Sequence, residues 1–106
     1  MNRICTTIEQ SQKLIELGID TNTADMVYVD CEYLAIRDGV LEEGDIPAWS
    51  LTALFMLLPK ETRLLRSATN DTYECDYSYA VSEWYDNPLD AVFEAVCKLC
   101  ENINIK

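Results

Sequence analysis

The pattern in this chain that could do chemistry most directly is Cys97-Lys98-Leu99-Cys100, a Cys-x-x-Cys near its end. Thiols at this spacing serve disulfide exchange or hold a soft metal ion, and both uses require thiolate. Redox pairs gain thiolate character at a helix N-terminus. These two fall near the C-terminal end of an expected helix, where the dipole opposes negative charge. Residues three apart on a regular helix hold their Cβ atoms about 5–6 Å apart, beyond the roughly 3.5–4.5 Å of a disulfide. A structural zinc site needs four soft ligands. Without histidine it would have to draw on Cys5, Cys31 or Cys75, which form no second close pair. Five cysteines, an odd number, also argue against an exported disulfide framework. The expectation is reduced thiols packed as small hydrophobes, with no metal and no cofactor.

Carboxylates are the second route to chemistry. They cluster at Glu42, Glu43 and Asp45, at Asp71, Glu74 and Asp76, and at Glu83, Asp86 and Asp90. A carboxylate pair works as acid and base only where its surroundings separate the two pKa values, and nothing in the sequence indicates such a separation. Two uses remain: a solvated face that keeps the chain soluble, or a surface that attracts a basic partner, including one that mimics nucleic-acid charge. Asp20-x-Asn22-x-Ala24-Asp25 has the outline of a calcium loop. Its sixth position is Asp25 instead of glycine and its twelfth is Cys31 instead of glutamate, so a polar turn is expected there.

Composition sharpens these exclusions. The 106 residues carry nineteen acidic and eight basic side chains, a net charge of −11, and no histidine. The side chain best suited to proton transfer near neutrality, and the commonest metal ligand, is therefore missing, and no enzymatic activity is expected. The acidic excess repels phosphate backbones and anionic lipid heads, so direct nucleic-acid and membrane binding are not expected. Hydrophobic residues at 49% and charged ones at 25% suit one globular domain spanning residues 1–106. The start carries no apolar stretch behind a basic region, and the longest nearly uncharged segment, residues 46–59, is too short to cross a bilayer. A cytoplasmic location is expected.

The elements that must position these side chains follow from caps and periodicity. A helix over residues 7–17 is expected from the capping-box spacing of Thr6 and Glu9, ended by Gly18 as a left-handed residue with Ile19 packing back on Leu14. Residues 26–37 are rich in Val, Tyr, Ile and Leu. They suit one bent strand or two short ones interrupted near Cys31 and Glu32, with Asp38-Gly39 turning the chain. Ser50 can cap a helix through residues 51–58, stopped by Pro59; being apolar almost all round, it is the expected centre of the core. Residues 62–69 and 73–81 read as a hairpin joined through Asn70-Asp71-Thr72. In its second strand Tyr73, Cys75, Tyr77, Tyr79 and Val81 face one way and Glu74, Asp76, Ser78 and Ala80 the other.

The last helix opens at Asn87 with Pro88 at N1 and Asp90 at N3. Leu89, Val92, Phe93, Val96, Leu99, Cys100 and Ile103 recur along it at three- and four-residue steps. The expected fold is α+β: a small antiparallel sheet with three helices in the order α-β-β-α-β-β-α, the helices largely on one face. The strand-strand-helix order occurs twice, but no residue-level repeat supports duplication.

Three stretches carry a resemblance: residues 14–20 (LIELGID) running into 23–26 (TADM), then 45–51 (DIPAWSL), then 87–94 (NPLDAVFE). Together they resemble a family of small acidic uncharacterised proteins of gut bacteria and their prophages or mobile elements. The resemblance implies a cytosolic accessory protein of that type and, because the family carries no assigned activity, transfers no functional residue.

Trp49, Trp84 and Tyr85 flank the starts of the second and third helices, where aromatics either seal a core edge or anchor an interface. If the tyrosines of the second hairpin are uncovered, they make a face suited to a homodimer or another protein. The leading expectation is a non-enzymatic acidic protein-binding module. Glu74, Asp76, Glu83 and Asp86 would steer a protein partner, basic ones included, and Trp84 and Tyr85 would supply affinity. The alternative is a self-associating structural protein, a homodimer across a two-fold axis. A cysteine- or carboxylate-based enzyme ranks last.

Overall fold

Thr7 opens the first helix, α1 (Ile8–Glu16), in the computed structural model, which describes residues 4–29, 33–36, 41–67, 69, 72–77, 80–81 and 83–104. The Thr7 hydroxyl accepts from the Gln10 N–H at 3.1 Å and the Gln10 side-chain oxygen accepts from the Thr7 N–H at 3.0 Å, a reciprocal capping box. The box lies one residue later than the Thr6–Glu9 spacing suggests, because Thr6 is fully buried. Its hydroxyl hydrogen-bonds Ser11 at 2.8 Å and accepts from the Trp49 N–H at 3.0 Å. At the other end Gly18 takes φ +91°, and the Ile19 and Gly18 N–H groups donate to the Leu14 and Ile15 carbonyls, the expected Schellman stop. The polar turn follows as a 3₁₀ turn, Thr21–Thr23, where Asp20 accepts from the Asn22 N–H.

Strands β1 (Met26–Val29) and β2 (Tyr33–Ile36) are the two-strand alternative for this region, paired antiparallel with Val27 opposite Ala35. The interruption at Cys31 and Glu32 and the turn at Asp38-Gly39 lie outside the described residues. A short strand β3 (Ile46–Ala48), not anticipated from the sequence, pairs with the other side of β1, giving the order β2-β1-β3. Pro47 fits there because an edge strand can leave one backbone side unpaired.

Asp25 accepts from both the backbone N–H and the hydroxyl of Ser50, and Ser50 in turn accepts from the Ala53 N–H as N-cap of α2 (Leu51–Phe55). This helix is five residues long and not eight. It is not the centre of the core. Leu54 and Leu58 are buried, but Thr52 is exposed and Met56 is 78% exposed, since so short a helix turns only one side to α3.

The second hairpin comprises β4 (Arg63–Arg66) and β5 (Tyr73–Tyr77), with Leu64 opposite Cys75. Its turn at Asn70-Asp71 lies outside the described residues. The strand expected to continue to Val81 instead reverses between Tyr77 and Ala80, and β6 (Ala80–Val81) pairs back on β5. Alternation alone cannot reveal such a reversal, since both branches keep β-forming residues; Tyr79 lies outside the described residues. The strands thus form two antiparallel sheets, β2-β1-β3 and β4-β5-β6, where the sequence suggests one.

Helix α3 (Pro88–Asn104) starts with the Asn87 side chain accepting from the Leu89 N–H at 2.8 Å. It packs on β5 and α2, burying Leu89, Val92 and Val96 at the expected steps and, beside them, Ala91 and Ala95, which the pattern of large apolar residues does not mark. One cluster of buried side chains joins these to Leu14, Trp49, Leu54, Leu58 and Cys75. Each such Leu or Val contributes about 1.5–3 kcal/mol on burial. Trp49 is fully buried with its indole N–H donating to the Thr23 hydroxyl, so of the two tryptophans it takes the sealing role. The architecture is α+β in the order α-β-β-α-β-β-α, extended by the short β3 and β6. No described helix is long and apolar enough to cross a membrane.

Candidate interaction surface

Strand β5 sets the geometry of the candidate site through its alternation. Cys75 is fully buried and Tyr73 packs against the core, so Glu74 and Asp76 take the outer face. After β6 the chain stays beside β5. The Tyr73 N–H donates to the Tyr85 carbonyl at 2.6 Å and the Tyr85 N–H returns the bond at 2.9 Å. Residues paired this way share a face, so Tyr85 follows Tyr73 inward and also packs on the core. Trp84 and Asp86 then fall on the other side, the face of Glu74. Trp84 is 49% exposed, and Glu83 and Asp86 beside it are exposed.

A clasp from α3 fixes this segment. Glu94 accepts from the Tyr85 hydroxyl at 2.6 Å through Oε1 and from the Glu83 N–H at 2.9 Å through Oε2, while Lys98 Nζ stands 3.5 Å from Oε2. Burial works against the Glu94 charge, but the Tyr85 hydroxyl, the Glu83 N–H and the Lys98 ammonium outweigh it and hold the carboxyl below its ordinary value. The same hydrogen bond, followed by burial and the charges of Glu94, Glu83 and Asp90, pushes the Tyr85 hydroxyl up to about 12, so it remains a donor at neutral pH.

The remaining carboxylates divide by environment. Asp76 stands directly opposite Arg63, whose Nη2 lies 3.9 Å from Oδ2, and its side chain is only 18% exposed. Its other oxygen is buried with no hydrogen-bond partner among the described residues. Glu74 is half-buried opposite the exposed Leu65. Asp90 accepts from the Gln10 side-chain amide at 2.9 Å, tying the start of α3 to the cap of α1. Of the six residues singled out from the sequence, Glu83, Trp84 and Asp86 lie exposed together, Glu74 borders them, Asp76 is neutralised by Arg63, and Tyr85 positions the segment from inside.

Cys97 and Cys100 are free, half-buried thiols within the uninterrupted α3. Burial pushes Cys97 up to about 11 and raises Cys100; burial, with Asp76 nearby, pushes Cys75 to about 11 as well. Among the described residues no group of three or more cysteine or acidic side chains is placed to hold a metal ion.

Two surfaces escape sequence reading. Leu51, Thr52, Phe55, Met56 and Leu64 line an apolar groove of about 260 Å³. Its signal is the i, i+4 spacing of Leu51 and Phe55, which cannot reveal that their outer side stays uncovered. The other is β2, where Tyr33, Leu34 and Ile36 are all exposed. Comparison with protein-family models, curated proteins and solved structures finds no match to this chain.

Proposed function

We propose that this chain is a non-enzymatic acidic module that binds a protein partner, an accessory protein of the phage or mobile-element type acting in the cytoplasm. The observation that carries the reading is Trp84. A half-exposed tryptophan on a segment fixed by the Tyr73 bridge and the Glu94 clasp offers a large contact area whose backbone is already ordered. Glu74, Glu83 and Asp86 border it and, with the net charge of −11, favour a basic partner through long-range steering. Asp76 adds less, because Arg63 offsets its charge, and Tyr85 serves by holding the neighbouring residues in place.

The test is affinity capture from bacterial lysate at low and moderate salt with the wild-type chain, Trp84→Ala and the charge-reversed Glu74→Lys/Asp76→Lys variant. A basic protein retained by the wild type, released by salt and lost with Trp84→Ala supports the reading. An unchanged set of retained proteins with a folded Trp84→Ala chain removes it. Self-association is the second reading, and it rests on a different surface, β2. Light scattering across a dilution series separates the two.

A further inference from the structure

Four strands of the two sheets are edges among the described residues, and three of them are blunted against pairing with another chain. Strand β3 is three residues long and carries Pro47, which has no N–H to donate. Strand β4 is bracketed by Arg63 and Arg66, and β6 has only two residues. Strand β2, Tyr-Leu-Ala-Ile, has four residues, no charge and no proline, and pairs with β1 on one side only. Its side chains are uncovered on both faces: Tyr33 is 67% and Ile36 79% exposed, and Leu34 is exposed beside them.

We propose that β2 is the self-pairing edge of a homodimer, joining β2 of a second copy antiparallel to make one continuous six-stranded sheet. A two-fold axis perpendicular to the sheet runs the two strands in opposite directions and keeps like faces together. Leu34 and Ile36 then lie beside their counterparts on one face, and the two copies of Tyr33 share the other. A second copy is favoured over a basic partner because β2 itself presents no carboxylate to attract one, whereas an uncharged strand lets two chains of −11 meet without direct like-charge contact. Three residue pairs within Tyr33–Ile36 and three apolar side chains per copy cover less than the roughly 800 Å² per partner of a stable interface, so the dimer is a weak one that dissociates on dilution.

The overall charge gives the proposal a distinctive sign. Added salt screens the repulsion between two acidic chains and strengthens the dimer, while it weakens capture of a basic partner at the Trp84 surface. The experiment is light scattering of the full chain across a dilution series at low and moderate salt, with Ile36→Glu as the edge variant and Trp84→Ala as control. Expected are a concentration-dependent dimer, more dimer at moderate salt, loss of dimer in Ile36→Glu and retention in Trp84→Ala. Amide hydrogen exchange provides a check that needs no variant: protection within residues 33–36 should rise with protein concentration. A chain monomeric at every concentration and salt, a dimer unaffected by Ile36→Glu, or exchange at residues 33–36 independent of concentration overturns the proposal.

Discussion

Replacing Glu94 by alanine removes three contacts at once: the acceptor for the Tyr85 hydroxyl at 2.6 Å, the acceptor for the Glu83 N–H at 2.9 Å, and the Lys98 ion pair at 3.5 Å. A hydrogen bond to a charged group contributes about 1.5–3 kcal/mol, and the lower end applies where the site keeps some contact with water, as the 20%-exposed Glu94 side chain does. A partly exposed i, i+4 helix pair such as Glu94–Lys98 adds only about 0.3–0.5 kcal/mol. Regained hydration of Glu83 and Tyr85 offsets part of the total, leaving an expected loss of about 2–3 kcal/mol. In a domain of this size that lowers Tm by about 10–20 °C.

Urea denaturation is the assay, with an unchanged slope showing that the same surface unfolds. Glu94→Gln keeps one carbonyl acceptor and should lose about half as much. A Tyr85→Phe/Glu94→Ala double-mutant cycle, in which each single change removes the hydrogen bond, should give a coupling of about 1 kcal/mol or more. A Glu94→Ala chain within about 0.5 kcal/mol of wild type, or an additive cycle, would refute the clasp.

Three further outcomes follow from the same geometry. Leu54→Ala should cost about 2–5 kcal/mol in urea denaturation, whereas Met56→Ala, two residues along the same apolar run, should stay within about 0.5 kcal/mol; equal losses would restore α2 to the core centre. Glu94 has a lowered folded pKa, so its stabilisation is present above the ordinary carboxylate value and lost as pH falls through the folded one. Tyr85, raised to about 12, stabilises fully below its ordinary value near 10 and loses that contribution as pH rises from about 10 to 12, so Tyr85→Phe should flatten both arms of the stability–pH profile. Cys75 and Cys97, each raised to about 11, carry about one thiolate per thousand at pH 8. Mass-mapped labelling of native chain should find them slow, and rapid modification of Cys97 would reopen a redox reading of the Cys-x-x-Cys.

How much of this was legible in the sequence depended on the range of the interaction. Short-range signals carried over well: Gly18 ends α1, Ser50 and Asn87 cap α2 and α3, and the three- and four-residue steps from Leu89 to Val96 mark the buried side of α3. The α+β order followed from them. Long-range pairing was hidden. Thr6 satisfies the capping-box spacing but is held by Ser11 and Trp49, and only burial decides between the two roles. Nothing local showed that residues 46–48 would pair with β1 or that the strand after Tyr77 would fold back.

The candidate site divided along the same line. Alternation put Glu74 and Asp76 on one face, yet Arg63 opposite Asp76 and Glu94 beneath Tyr85 are partners brought in by tertiary structure. The composition of β2 matched its strand, but a Tyr-Leu-Ala-Ile run reads as buried; its exposure follows from a place in the sheet order that the sequence does not print.

In the proposed function Trp84 supplies affinity while the surrounding carboxylates steer, and association kinetics with the captured partner separate the two roles. Trp84→Ala should raise the dissociation rate and weaken Kd by about 30-fold or more with little change in association rate, as expected for an anchoring tryptophan. Glu83→Lys/Asp86→Lys should slow association and flatten its salt dependence. A folded Trp84→Ala chain that binds with wild-type rates would contradict the claim.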